Sequence, residues 1–373
     1  MTNPLDGSAV DIHTHVYPER YVALLRARNA VPRIVNRNGM DRMLILPGED
    51  TDGSTATGRP LGSEYWDRDR KLAFMDRHGI GISVLSPANP WLDFLDADEA
   101  GPAATSINES MEAMAEGGQG RLYGMGLLPR DPVLAAEELG RIAALPHLRG
   151  AAIGTTGAGK GLDDPAMDAV WAAAERTGTM IFVHPHYGLG TEHMRGYGHG
   201  MLLALGFPFE TTTAITRLIL GGTFDRFPGL KIMVAHSGGA LPYLAGRLDA
   251  CIGDHADPNV KLKQEPSAYL RMMYFDAISY STETLRLLAS LVGSDRLMFG
   301  TDHPFFPPAV PNDALDTTDW HSPVAHRPVV AALGAALGTA LGAAQGAPLG
   351  SGVGDAILSA NAMRIFGLTP LSP

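Results

Sequence analysis

Eight short runs rich in β-branched and apolar residues recur along this chain, each running into Gly, Pro, Ser, His or Asp, with helix-like stretches between them. The runs cover 10–16, 82–87, 122–128, 150–154, 180–184, 231–236, 273–278 and 296–301. The intervening stretches at 67–78, 104–117, 132–145, 165–176, 211–227, 241–253 and 282–291 have helical periodicity or composition. Strands that alternate with helices pair in parallel, and eight such units close into a (β/α)8 barrel, the TIM-barrel form of the α/β class. A barrel of this kind carries its reactive groups at the C-terminal ends of its strands.

Two stretches depart from the repeat. Residues 20–66 hold too much Arg, Asn, Gly and Pro for one helix and are expected to form an elaborated loop after strand one that walls or covers a site. Residues 307–354 form an extended segment after strand eight, opening on Pro307-Pro308 and running into an Ala/Gly-rich tract. A final helix over 355–366 is expected to close the barrel. The 373 residues fit one such barrel, so a single domain over 1–373 is expected, with no linker and no repeat beyond the βα period.

Charge and cysteine usage narrow the partners. A net charge of -11 argues against nucleic acid and against an anionic membrane surface, which leaves a small molecule. The single cysteine, Cys251, excludes an internal disulfide and a cysteine zinc cluster and suits a reducing cytoplasm. Residues 1–8 lack a basic stretch followed by an apolar run, so no signal peptide is expected, and no segment reaches the roughly 18 apolar residues of a membrane span.

Placed on the barrel, the polar residues gather. Strand one carries His13 and His15, two residues apart and thus on one face, with Val10, Ile12 and Thr14 expected on the other. Strand five ends His184-Pro185-His186, strand six His236-Ser237-Gly238-Gly239 and strand eight Gly300-Thr301-Asp302-His303-Pro304. Any one of these is ordinarily a capped or hydrogen-bonded core polar residue. Histidines from four strand ends with one aspartate, arriving at one rim, point instead to a metal site.

The set Asp11-x-His13-x-His15, a His after strand five, His236-Ser-Gly-Gly and Gly-Thr-Asp302-x-Pro resembles the amidohydrolase superfamily, in its branch of metal-dependent non-oxidative decarboxylases. Tyr65-Trp66-Asp67, Phe182-Val183-His184-Pro185, Glu210-Thr211-Thr212 and Gly246-Arg247 are similar to the aminocarboxymuconate-semialdehyde decarboxylases. More segments resemble the isoorotate (uracil-5-carboxylate) decarboxylases: Gly58-Arg59-Pro60-Leu61, Ala88-Asn89-Pro90-Trp91, the run 159–165, the run 184–189 and the long run 297–308. The resemblance spans Val10 to Gly367 and implies one divalent ion, zinc with manganese as the alternative, held by His13, His15, His184 and Asp302, with His236 beside it. Binuclear relatives bridge two metals with a lysine on strand four. Here that strand reads Gly150-Ala-Ala-Ile-Gly-Thr155, and Lys160 lies in a later turn, so one ion is expected.

A site with few N/O ligands and open positions is catalytic rather than structural. The expected reaction is decarboxylation of a planar aromatic or heteroaromatic carboxylate, 5-carboxyuracil-like or salicylate-like. Protonation of the carboxyl-bearing carbon, with Asp302 relaying the proton and His236 polarising the adjacent oxygen or orienting a water, precedes release of CO2. Two alternatives remain: a metal-dependent hydrolase of a cyclic ester or amide, and a non-catalytic barrel that binds metal or ligand. A carboxylate needs cationic recognition, for which Arg59 and Arg247 are candidates, either of which could instead be a solvated side chain. By resemblance, Arg247 reaches a neighbouring subunit's site, which implies a homodimer. Asn89 could hydrogen-bond a flat ring and Phe305 could stack on it, with Trp91 as a wall or as core. The aminocarboxymuconate enzymes carry a substrate-binding Arg where this chain has Gly62, which makes that substrate a poorer fit.

Overall fold

The computed structural model of the protein describes residues 9–45, 58–194, 199–255, 257–305, 330–332 and 352–369. Strand β1 (Ala9–Val16) comes first, followed by three short strands, β2 (Arg33–Arg37), β3 (Met40–Leu44) and β4 (Arg59–Pro60). Then come β5 (Ile80–Pro87), β6 (Leu122–Leu127), β7 (Leu148–Gly154), β8 (Met180–His184), β9 (Ile232–Val234), β10 (Tyr274–Asp276) and β11 (Leu297–Met298). Strand β1 and strands β5 to β11 form one eight-stranded sheet in chain order, every pair parallel. These are the eight expected runs. The last three are shorter than expected because their final residues leave the ladder to form the rim.

The sheet closes into a barrel at the seam between β11 and β1, through backbone bonds that run past the end of β11. Ile12 N–H donates to the Phe299 carbonyl at 3.0 Å, Asp302 N–H to the His13 carbonyl at 2.8 Å and His15 N–H to the His303 carbonyl at 2.7 Å. Gly300 permits this approach, since a Cβ there would stand 2.7 Å from the Cβ of His13.

Inside the barrel, Val10, Ile12, Ile82, Val84, Met125, Met180, Phe182, Met233 and Met298 pack together, with Phe366 at the end of the C-terminal helix and Leu368 just beyond it packed against them. A second apolar layer, including Leu85, Val183, Val234 and Phe299, faces the surrounding helices. One expectation is corrected here. Val10 and Ile12 do not face away from the histidines: they share the interior with Phe182, whose ring lies 4.8 Å from that of His13. The pairing of β1 with β5 shifts register between Asp11 and Thr14, and this bulge resets the alternation. Thr14 is left on the outer side.

The helices follow the expected order. Arg68–His78 starts on Asp67, whose side chain accepts from the N–H groups of Asp69 and Arg70, and stops at Gly79 in the left-handed region. The helix expected from residue 104 begins instead at Ala97: Gly101-Pro102 reads as a breaker, but Ala100, Ala104 and Ile107 bury one continuous face through it. The stretch after strand one is more ordered than a loop. It forms a helix, Glu19–Ala27, and an antiparallel sheet in which β3 pairs with β2 and β4. Asn38 and Gly39, both at positive φ, make its two-residue turn, a signal already present in the sequence as Asn-Gly between two strand-like runs. The expectations for 307–354 lie, short pieces aside, outside the described residues. The closing helix is continuous from Gly352 to Phe366, with a π turn over Ala356–Ala360. Among the described residues no helix is long and apolar enough to cross a membrane.

Candidate active site

His13 and His15 stand at the inner end of β1, His184 ends β8, His236 follows β9 and Asp302 follows β11. The hydrogen-bond partners of the first three imidazoles fix which nitrogen carries the proton. His13 Nδ1 lies 2.6 Å from Asp276 Oδ2, and His184 Nδ1 lies 2.7 Å from the Pro185 carbonyl. Both partners only accept, so both Nδ1 atoms donate. The Ser86 hydroxyl donates to the Thr14 carbonyl at 3.3 Å and accepts from His15 Nδ1 at 3.0 Å. In its neutral form each of the three imidazoles therefore presents its lone pair at Nε2.

Those lone pairs converge. The Nε2 atoms of His13 and His15 are 3.0 Å apart, with Asp302 Oδ1 at 3.5 and 3.2 Å from them. The His184 ring lies 5.2 and 5.0 Å from the other two. His184 Nε2 and Asp302 Oδ1 are buried with no aligned hydrogen-bond partner. Buried acceptors turned on one another repel unless a cation lies between them, so this donor set fits a divalent ion with N/O preference. Two overlapping foursomes could hold it. His13, His184, His236 and Asp302 bring ligand atoms within 4.8 Å of one another, and His15 in place of His236 gives the set expected from the sequence. His15 is 2% exposed and faces Asp302 Oδ1, the oxygen shared with His13, whereas His236 Nε2 faces the other oxygen, Oδ2, at 3.7 Å and is partly exposed.

The electrostatics follow from burial and from two carboxylates. Burial lowers His15 to about 4 and holds His184 well below its usual value, so both are neutral, as ligands must be. Burial alone would lower His13 as well, but the hydrogen bond to Asp276, its charge and Asp302 lift it to about 10. Asp302 resists burial through its contacts with His13, His15 and His236 and stays well below the carboxylate range. Asp276 is lowered too. It resists its own burial by binding His13, and also accepts from the N–H groups of His236 at 2.7 Å and Ser237 at 2.8 Å.

The backbone is strained along the same rim. Of the seven non-glycine residues with positive φ among the described residues, Trp91, His236, Ser237, Tyr280 and Asp302 all follow barrel strands. Glu210 holds the turn after β8, accepting from the N–H groups of His186 and Gly188 and from the Thr155 hydroxyl.

Of the expected substrate residues, three lie beside the cluster. Arg59, on β4, sits 4.6 Å over the ring of Phe305 and donates to the Tyr17 hydroxyl at 2.5 Å. Phe305 in turn meets the His15 ring edge-on at 5.1 Å. Asn89 is buried, its backbone carbonyl taken by Tyr17 and its side-chain oxygen without a partner. Trp91, 5.9 Å from the His184 ring, is 2% exposed and ties its indole N–H to the Pro87 carbonyl, so it is wall and core at once. Arg247 is exposed on the helix Leu241–His255 and, among the described residues, makes no hydrogen bond or ion pair. Within one chain the structure does not join it to the cluster. Sequence reading missed Asp276, Ser86 and the aromatic box of Tyr17 and Tyr65 around Arg59. An acid closing the apolar run Tyr274–Asp276 was the available signal for the first.

A family profile described as Amidohydrolase matches residues 10–368. The apo crystal structure of the IDCase of Metarhizium anisopliae superposes with a TM-score of 0.87 at 36% identity, covering 99% of each chain. The 2-amino-3-carboxymuconate-6-semialdehyde decarboxylase of Dictyostelium discoideum is 29% identical over 79% of this chain and 81% of its own. A dihydroxybenzoic acid decarboxylase from Polaromonas sp. JS666, crystallised with bound manganese and the inhibitor 2-nitroresorcinol, shares the fold with a TM-score of 0.70 at 22% identity, covering 97% of each chain.

Proposed function

The chain belongs to the amidohydrolase family, and from that premise we propose that it is a metal-dependent decarboxylase acting on a planar aromatic or heteroaromatic carboxylate, a carbon-carbon lyase. The observation that carries the reading is the convergence of three imidazole Nε2 atoms and one carboxylate oxygen in a buried space. His13, His15, His184 and Asp302 would hold one ion, zinc by the imidazole-rich donor set, with manganese supported by the structural neighbour that contains it. Such an ion supplies Lewis acidity and a positive anchor for a carboxylate with an adjacent oxygen.

The protein's own groups then divide the work. Asp302 has two oxygens in two settings: Oδ1 faces His13 and His15, while Oδ2 faces His236 Nε2 at 3.7 Å. One oxygen is thus available as ligand and the other as proton relay. Because its surroundings keep Asp302 ionised, the proton comes from His236 and passes over Oδ2 to the carboxyl-bearing carbon. The bond to the carboxyl carbon then breaks, its electron pair restores ring conjugation, and CO2 leaves. Arg59 neutralises the substrate's negative charge from its place over Phe305, Phe305 and Trp91 bound a flat ring, and Asn89 offers a free amide oxygen to a ring N–H or hydroxyl.

Arg247, exposed and outside the cluster, would by resemblance serve the site of a second copy of the chain, and a homodimer in the cytoplasm, with Cys251 reduced, completes the reading. No observation favours hydrolysis or a silent barrel. Measuring CO2 release by the metal-loaded protein from 5-carboxyuracil and a panel of hydroxybenzoates tests the proposal. Silence on all of them, or turnover of cyclic esters without CO2, would overturn it.

A further inference from the structure

The outer side of the β1–β11 seam holds a cation that the chemistry above does not use. Lys71, on the helix Arg68–His78, is 1% exposed. Its Nζ donates to Thr14 Oγ1 at 2.7 Å and to His303 Nδ1 at 2.6 Å. Thr14 Oγ1, having accepted from Lys71, donates to the His303 carbonyl at 2.9 Å, the same carbonyl that receives His15 N–H across the seam. The ring of Phe74 stacks on His303 at 3.7 Å and fixes its plane. Asp11 completes the cluster from the same outer face, accepting from the Thr301 hydroxyl at 2.6 Å and from Thr301 N–H at 3.1 Å; burial lowers Lys71 to about 7, and the charge of Asp11 offsets part of that fall.

The residues bound in this cluster alternate with the inward-facing ones. Thr14 lies between His13 and His15, and Asp302 lies between Thr301 and His303. Each pull on the outer face therefore acts on the peptide units that aim the inner side chains. A lysine buried only for packing would not need acceptors on both sides of the seam, and a buried charge is retained where its partners satisfy it.

We propose that Lys71 is a positioning residue: it locks the β1–β11 seam from outside and thereby sets the spacing of His13 and His15 against Asp302. The consequence for an ion rests on the metal reading above, while the lock itself does not. Two measurements on the full-length protein separate them: hydrogen exchange of the metal-free chain over residues 9–16 and 297–303, and Mn2+ affinity by calorimetry. In a folded Lys71→Met chain the His15 and Asp302 amides exchange about tenfold faster or more. Mn2+ affinity falls about 10–100-fold, and Lys71→Arg restores most of both. A folded Lys71→Met chain with the exchange of the wild type overturns the lock. Should that chain not fold, Thr14→Val, which keeps the shape and removes the shared hydroxyl, is measured in the same two ways, and wild-type exchange in it likewise overturns the lock. If neither folds, the cluster is a stability element and the positioning role falls. Wild-type protein that binds neither Mn2+ nor Zn2+ overturns the metal reading, and the exchange comparison still decides the lock.

Discussion

The floor of the site and its wall are built in different ways. The floor is made of His13, His15 and His184, which stand on strands of the closed barrel, and Asp302, which follows β11 and is bonded through its backbone N–H to the His13 carbonyl; each imidazole is oriented by a second hydrogen bond. The wall, made of Arg59, Tyr17, Tyr65 and Phe305, leans on a small antiparallel sheet inserted between the first two barrel strands. The floor is held by the whole barrel. The wall is held by the inserted sheet, by aromatic packing and by the hydroxyls of Tyr17 and Tyr65, which donate to the Asn89 and Pro304 carbonyls. Chemistry that must not vary is therefore placed on the rigid part, and recognition that can vary on the part whose loss leaves the barrel closed.

This division can be broken at its strongest point first. Asp302→Asn, which keeps the shape and removes the charge, is expected to lower kcat about 10³-fold or more with circular dichroism unchanged. A variant that turns over normally would remove Asp302 from the floor. Next comes Asp276→Asn, which touches no substrate but loosens the proton arrangement of His13; metal affinity measured by calorimetry should fall about 10–100-fold. On the wall, Arg59→Ala should raise KM and lower kcat/KM about 10–100-fold, while metal content stays at the wild-type level. A drop in bound metal instead would mean that wall and floor are one unit. The smallest effect is expected from Gly39→Ala. An added Cβ there meets nothing within 4 Å, so the cost, about 1 kcal/mol, comes from the positive φ of 79° alone. KM should rise modestly and kcat stay level, sharpening the claim that the wall can soften while the floor does not.

The floor was legible in the sequence because strand ends in a barrel share one rim, so residue type and strand order together locate a site. His13, His15, His184, His236 and Asp302 all sit at such ends, and the structure gathers them. The wall was less legible. Arg59 and Phe305 meet only because an insertion folds back over β11, a contact that no local pattern encodes, and its one local signal, Asn38-Gly39, was weaker than the loop-like composition around it. Asp276 and Lys71 were hidden for another reason. An acid at a strand end looks like a cap, and a lysine in Arg68–His78, six of whose eleven residues are Arg, Lys or Asp, looks like one more solvated charge. Only the packing of that helix on the seam makes it a buried one.

The bulge in β1 carries a consequence for how this chain tolerates change. It lets Ile12 and His13, neighbours in sequence, both face inward, while Asp11 and Thr14 face out toward Lys71. Were the same residues to run on in strict alternation from Val10, without the bulge, the two sides of everything beyond it would be exchanged: the imidazoles would turn toward the helices and the threonine into the cavity. A single irregular peptide thus sets the parity of the first strand, and straightening it would lose the inner and the outer polar groups together.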